Sequence, residues 1–162
     1  MRIRRGVVED LPSILAAERA CFSEEGAFSA EVLSFFLEEG VTFVVEDVGL
    51  VGFVMGFGAG DLGKVATLDV IPGRRRVGLA QRLMEALEAE LAFRGVEVVT
   101  LEVAVDNRRA IALYEKLGYR EAALLEGYYG TGDDAILMAK LLEPEGRPLQ
   151  TTRYIDIQND LP

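Results

Sequence analysis

The order of elements between positions 65 and 105 constrains the fold more than anything else in the sequence. An apolar run, Val65 to Val70, is broken by Pro72-Gly73. From Gly78 the apolar residues Leu79, Leu83, Met84, Leu87 and Leu91 recur at helical spacing up to Gly95, and Val96 to Val105 then reads as a buried strand. A strand, a helix and a second strand in this order require a right-handed crossover if the two strands share a sheet. The chain is therefore read as α/β.

The flanking segments build outward from that unit. Arg2 to Val8 reads as a short strand, and Asp10 as the N-cap of a helix from Leu11 to Phe22, with Pro12 in its first turn and Cys21 on its apolar side. Ser29 caps a second helix that ends at Glu39 before Gly40, its buried side comprising Val32, Leu33, Phe35, Phe36 and Leu37. Val41 to Glu46 and Val51 to Phe57 read as a hairpin across Asp47-Val48-Gly49-Leu50. Asp106 or Asn107 caps a helix carrying Ala110, Ile111, Leu113 and Leu117, and Tyr119 to Leu125 and Ala135 to Leu142 are the last strands. At 162 residues this is one domain, expected over 1–142, with a polar, proline-containing tail over 143–162.

The sequence contains no histidine. A Ser-His-Asp triad, a Cys-His dyad, a His general base and a His-ligated metal are excluded together. Cys21 is the single cysteine, which rules out an internal disulfide or a cysteine zinc cluster, so no metal is expected. Seventeen basic against 27 acidic residues give a net charge of −10, which repels nucleic acid and favours a basic partner. No apolar run reaches the roughly 18 residues of a bilayer crossing, and Arg2, Arg4 and Arg5 precede no signal-like stretch. A cytoplasmic protein without membrane contact is expected.

Between the strand and helix of the central unit lies Arg74-Arg75-Arg76-Val77-Gly78-Leu79-Ala80-Gln81. Free N–H groups at a helix start, with the helix dipole behind them, form an anion site, and Gly78 and Ala80 leave room for phosphate oxygens to reach the backbone. Basic residues at that end oppose the dipole, so a bound phosphate is a better reading than an exposed basic cap. No Lys-Ser or Lys-Thr follows the glycine, which sets the segment apart from a P-loop. Gly58-Ala59-Gly60-Asp61-Leu62-Gly63 matches G-x-G-x-x-G, yet it leads into the strand-like Lys64 to Leu68. It is read as a strand connection, since a dinucleotide fingerprint must open a helix.

The segment L-D-V-I-P-G-R-R-R-V-G-L-A-Q-R-L-M resembles the acetyl-CoA site of the GNAT superfamily of N-acetyltransferases, whose R/Q-x-x-G-x-G/A pattern is met by Arg75, Gly78 and Ala80. L-E-V-A-V-D-N-R-R-A-I-A-L-Y-E-K-L-G-Y is similar to that family's second half, and G-Y-Y-G-T-G-D-D-A-I-L-M to its branch of protein N-terminal, RimI-like acetyltransferases. The likeness spans Ile3 to Leu141. It implies a mixed, mostly antiparallel sheet flanked by helices around a β-α-β unit that binds acetyl-CoA. The implied reaction is direct acetyl transfer, in a ternary complex, to the N-terminal α-amine of a protein or peptide, with ribosomal protein the leading target. Acetylation of a lysine side chain or a polyamine-like amine is the alternative, and an acyl-CoA-binding regulatory module without turnover is a third reading. A homodimer stays open.

Carried over by residue, the resemblance implies that pyrophosphate rests on the amides from Arg75 or Arg76 through Val77, Gly78, Leu79 and Ala80 to Gln81. Pantetheine would run beside Leu68, Asp69 and Val70 as an added strand does, with the Val70 N–H as oxyanion donor on a bulged strand, and Asn107 would touch the cofactor. Without histidine, the base that frees the amine is a carboxylate, a tyrosinate or a water relayed to one. Glu102 matches the family's glutamate base, and burial of a carboxylate suits it to work near neutral pH. A solvent-facing strand glutamate is the plain alternative for it. Tyr114 would be the general acid beside the sulfur, against the plain alternative of a packed aromatic. Glu24 and Glu25, between the first two helices, and Tyr128 and Tyr129, in the late loop, stand where related enzymes grip the peptide. For the two glutamates a solvated acidic turn is an equal reading.

Overall fold

The computed structural model describes residues 1–22, 26–75, 78–128 and 132–143. The apolar runs pair into one seven-stranded sheet whose strands are β1 (Arg2–Arg5), β2 (Val41–Asp47), β3 (Gly49–Ala59), β4 (Leu62–Val70), β5 (Val98–Ala104), β6 (Arg120–Leu125) and β7 (Ala135–Leu141). Their spatial order is β1-β2-β3-β4-β5-β7-β6, and all neighbours are antiparallel except β4 and β5. That parallel pair is joined by α3 (Leu79–Phe93), the crossover expected from the pattern. The other helices are α1 (Leu11–Cys21), α2 (Ala30–Glu39) and α4 (Arg108–Lys116).

Each face of the sheet has its own core. Leu83, Met84, Leu87 and Leu91 of α3 pack with Val54, Val65, Val99 and Leu101, while Ile14 and Ala17 of α1 join Leu33 and Phe36 of α2 over Val44, Phe53 and Met55. Each such fully buried side chain stabilises the fold by roughly 1.5–3 kcal/mol relative to exposure. Gly56 lets α3 lie close on the sheet: a Cβ there would stand 2.5 Å from the Lys64 carbonyl and 3.1 Å from Leu87.

Several local expectations are corrected by packing. Asp10 occupies the N-cap position of α1 but does not cap it. Its carboxylate turns back to accept the Val7 N–H at 2.8 Å and to hold Arg4, so β1 stops at Arg5 and residues 8–10 form a 3-10 turn. On α2 only Leu33 and Phe36 are buried; Val32 and Phe35 face outward because a surface helix covers the sheet with one stripe. The G-x-G-x-x-G stretch is a tight hairpin, with Gly60 at φ +62° and Asp61 between β3 and β4. Ser29 and Asn107 cap as expected, accepting from Val32 N–H at 3.3 Å and Ala110 N–H at 3.2 Å. Of the expected tail, only Glu143 lies within the described residues.

Two irregularities in β4 create the site. Met55 pairs with Thr67 but Gly56 pairs with Val65, so Ala66 is an extra residue on β4. This bulge shifts the alternation by one, turning Leu68 and Val70 to the α3 face with Val65, and Asp69 to the α1 face. Secondly, β4 and β5 pair only from Leu62–Lys64 against Val98–Thr100 and then separate.

Candidate active site

Where β4 and β5 part, the β4 backbone has no neighbouring strand on that side among the described residues. Ile71 N–H donates to the Val51 carbonyl at 3.0 Å, which makes 51/71 a hydrogen-bonded pair and 52/70 a non-hydrogen-bonded one. Alternation turns the N–H and C=O of Leu68 and Val70 away from β3, towards the side that β5 has left. A cavity of about 550 Å³ opens there. Its lining comprises Leu68, Asp69 and Val70 of β4, Cys21 and Phe22 at the end of α1, Arg74 and Arg75, Gly78 to Gln81 at the start of α3, and Asn107, Arg109, Ala110, Leu113, Tyr114 and Lys116 around α4.

The start of α3 presents free backbone amides. Gly78 stands at the N-cap with φ +77°, a conformation that favours glycine, and the space beside it is open. No side chain caps this helix and no acidic residue occupies its first turn, so the N–H groups of Leu79, Ala80 and Gln81 face the cavity end with the dipole behind them. The arginines do not simply await an anion. Arg74 pairs with Asp47 at 2.6 Å, and Arg75 Nε donates to the Val70 carbonyl at 2.8 Å. With Arg74 and Arg75 already paired, the uncapped amides are what an anion would meet there.

Tyr114 projects from α4 into the cavity, its ring edge-on to Tyr119 at 5.9 Å. Lys140 Nζ lies 5.7 Å over the Tyr119 ring and pairs with Glu88 at 2.7 Å. Burial, then Glu88, pushes the Tyr119 phenol above its ordinary range. The Tyr119 ring forms a buried wall against Tyr114.

Ten residues singled out from the sequence therefore meet at one cavity: Leu68, Asp69, Val70, Arg75, Gly78, Leu79, Ala80, Gln81, Asn107 and Tyr114. Glu102 is not among those that line it. It sits on β5 with its carboxylate held by Lys64 at 2.6 Å, a partner the sequence did not reveal. Tyr128 is exposed in the loop before β7, also away from the lining. Arg76, Val77, Glu24, Glu25 and Tyr129 lie outside the described residues. The strand irregularity expected at Val70 is four residues earlier, at Ala66.

Sequence reasoning missed Glu18. It is 1% exposed on α1, its Oε1 accepts the Phe28 N–H at 2.9 Å, and it lies against Asp69. Its position four residues after Ile14 and three before Cys21, on the apolar stripe, was the available signal. Cys21, expected in the core, is half-buried at the cavity with Sγ 3.5 Å from the Val70 carbonyl, and burial, then Asp69, pushes its thiol up.

Comparison with known proteins agrees with this geometry. The chain is 34% identical over 152 residues to an N-alpha-acetyltransferase of Sulfurisphaera tokodaii, covering 85% of this chain and 91% of that one. It is 48% identical over 75 residues, 44% of this chain and 51% of the relative, to the ribosomal protein bS18 alanine N-acetyltransferase of Escherichia coli. The crystal structure of the Escherichia coli ribosomal-protein-S18-alanine N-acetyltransferase superposes with a TM-score of 0.80 at 31% identity, over 91% of this chain and 97% of that one. Residues 11–119 match the Acetyltransferase (GNAT) family, and the chain belongs to that family of N-acetyltransferases.

Proposed function

We propose that this enzyme transfers an acetyl group from acetyl-CoA to the N-terminal α-amine of proteins, ribosomal protein among them, in the cytoplasm. The observation that carries the reading is the joining, in one cavity, of a free strand edge, an uncapped helix start and a tyrosine. The S. tokodaii relative, matched over most of both chains, bears the name of that activity. The E. coli relatives are named for an alanine of ribosomal protein bS18 or S18.

Acetyl-CoA supplies an acetyl thioester, and its donor and acceptor pattern fits the residues present. The amides of Leu79, Ala80 and Gln81 would hold phosphate, and the backbone of Leu68 would hold an extended amide chain as a neighbouring strand does, the Val70 carbonyl being taken by Arg75. The Val70 N–H faces the cleft and stabilises negative charge on a carbonyl oxygen placed there. Glu102 takes a proton from the amine, directly or through water, and the Tyr114 hydroxyl donates one to the departing thiolate. Holding amine and thioester together contributes further, because it replaces a bimolecular encounter.

The test is turnover of acetyl-CoA against peptides with varied first residues, with and without a blocked α-amine. Acetylation of free α-amines alone is expected. Reaction only at lysine or polyamine nitrogens would replace the substrate reading with the alternative.

A further inference from the structure

Glu18 and Asp69 are the most deeply buried carboxyls among the described residues, at 1% and 2% exposure, and they face each other across the junction of α1 and β4. One oxygen of each is engaged: Glu18 Oε1 accepts the Phe28 N–H at 2.9 Å, and Asp69 Oδ1 accepts the Thr67 hydroxyl at 3.2 Å. The remaining two, Glu18 Oε2 and Asp69 Oδ2, are buried with no hydrogen-bond partner among the described residues. Two adjacent carboxylates, each with an unfilled buried oxygen, would add like-charge repulsion to a desolvation penalty. A single proton removes both costs, since an O–H on one oxygen donates to the other.

We propose that Glu18 and Asp69 share one proton across these two oxygens and act as a positioning pair, fixing the segment that enters α2 against the cleft-lining end of β4. Among the described residues, the other titratable or charged groups that face the pair are Cys21 on α1 and Arg75 in the loop after β4. Burial, then Glu18, holds the Asp69 carboxyl far above the usual carboxylate range, opposed by the Thr67 hydroxyl and then by Arg75. Glu18 holds the Phe28 amide, two residues before the start of α2. Asp69, its partner, immediately precedes Val70 at the cleft. The role in acetyl transfer rests on the function proposed above; the shared proton does not.

Loss of the proton to alkaline solvent leaves two negative charges in a dry site, and the pair must part. In Glu18→Gln the carbonyl keeps the Phe28 N–H, so the amide NH₂ faces Asp69 and donates to its carboxylate, and no shared proton is needed. Glu18→Leu breaks both contacts.

The test combines infrared spectroscopy of the full chain, labelled with ¹³C-aspartate, with hydrogen exchange at the Phe28 amide. A protonated-carboxyl band is expected in the wild type at neutral pH, absent in Asp69→Asn and in Glu18→Gln. Phe28 exchange should quicken on raising the pH of the wild type beyond the intrinsic rate change, should not do so in Glu18→Gln, and should be at least about tenfold faster in Glu18→Leu. Kinetically, Glu18→Leu should raise the peptide KM about tenfold, and Glu18→Gln should restore it at neutral pH. No protonated-carboxyl band in the wild type overturns the shared proton. Unchanged Phe28 protection in Glu18→Leu, or if that variant does not fold, equal alkaline loss in wild type and Glu18→Gln, overturns the positioning role. Absence of any acetylated peptide would defeat the proposed function while leaving the spectroscopic and exchange results decisive for the pair.

Discussion

Lys64 and Glu102 are joined by a 2.6 Å ion pair at the fork of the sheet: Lys64 stands opposite Thr100 on the last rung of the parallel ladder, and Glu102 is two residues further along β5, on the same face. The contact orients the carboxylate where the two strands begin to separate. Glu102→Gln is expected to lower kcat by about 10²-fold or more while acetyl-CoA affinity is retained. Lys64→Met should lower kcat less, because the carboxylate remains. Steady-state kinetics beside calorimetric titration of acetyl-CoA measures both; weakened cofactor binding in Glu102→Gln would make it a scaffold residue.

Tyr114 keeps its edge contact with Tyr119 if only the hydroxyl is removed. Tyr114→Phe should therefore bind acetyl-CoA and peptide as the wild type does and lose about 10²-fold in kcat. A variant that turns over normally would leave Tyr114 as packing alone.

A carboxylate at the start of α3 competes with phosphate for the same amides. Ala80→Glu should raise the acetyl-CoA Kd by at least about tenfold without lowering thermal stability, since an acidic residue in a first turn favours the dipole. Unaltered affinity in equilibrium titration would place the phosphates elsewhere.

The Arg4 guanidinium, bonded to Asp10 and Glu46, holds the Asp10 carboxyl below its usual range. A carboxyl lowered on folding stabilises the native state above its unfolded pKa of 3.8, and this contribution disappears as pH falls through the still lower folded value. Urea denaturation of Asp10→Asn should show lower stability than the wild type at pH 7 and a shallower decline towards acid. Parallel curves would remove Asp10 from the acid response.

Lys140 is the cation for Glu88, whose side chain is only 8% exposed. Lys140→Met strands that charge and should destabilise by on the order of 2 kcal/mol, less than for a fully dry pair because Lys140 is partly exposed. The double variant with Glu88→Gln should recover most of it. Denaturant midpoints of the two variants decide, and failure of the second change to rescue would show that the lysine stem matters more than its charge.

The helices, their glycine stops and most strands were legible because each depends on a few neighbouring residues. Ser29 and Asn107 reach an N–H three residues on, and the stripe from Leu79 to Leu91 repeats inside one helix. The anion site was legible for the same reason: Gly78 and the amides after it are contiguous. Asp10 was misread because its strongest partner, Arg4, binds it through tertiary geometry rather than helix position. Val32 and Phe35 were misread because apolar character does not say which stripe of a surface helix meets the sheet.

The sequence by itself determined the order of elements, the β-α-β unit and the glycine-led helix start, all consequences of local periodicity and backbone chemistry, while the wider set of cofactor residues was implied by the family resemblance. Only the tertiary structure decided that Glu102 belongs to Lys64, that two of the arginines have partners of their own, and that Glu18 meets Asp69. For Glu18 and Asp69 the reason is the single extra residue at Ala66, which turns Asp69 to the α1 face. One bulge reverses which side chains share a face, and strand register is set by packing between segments far apart in the chain.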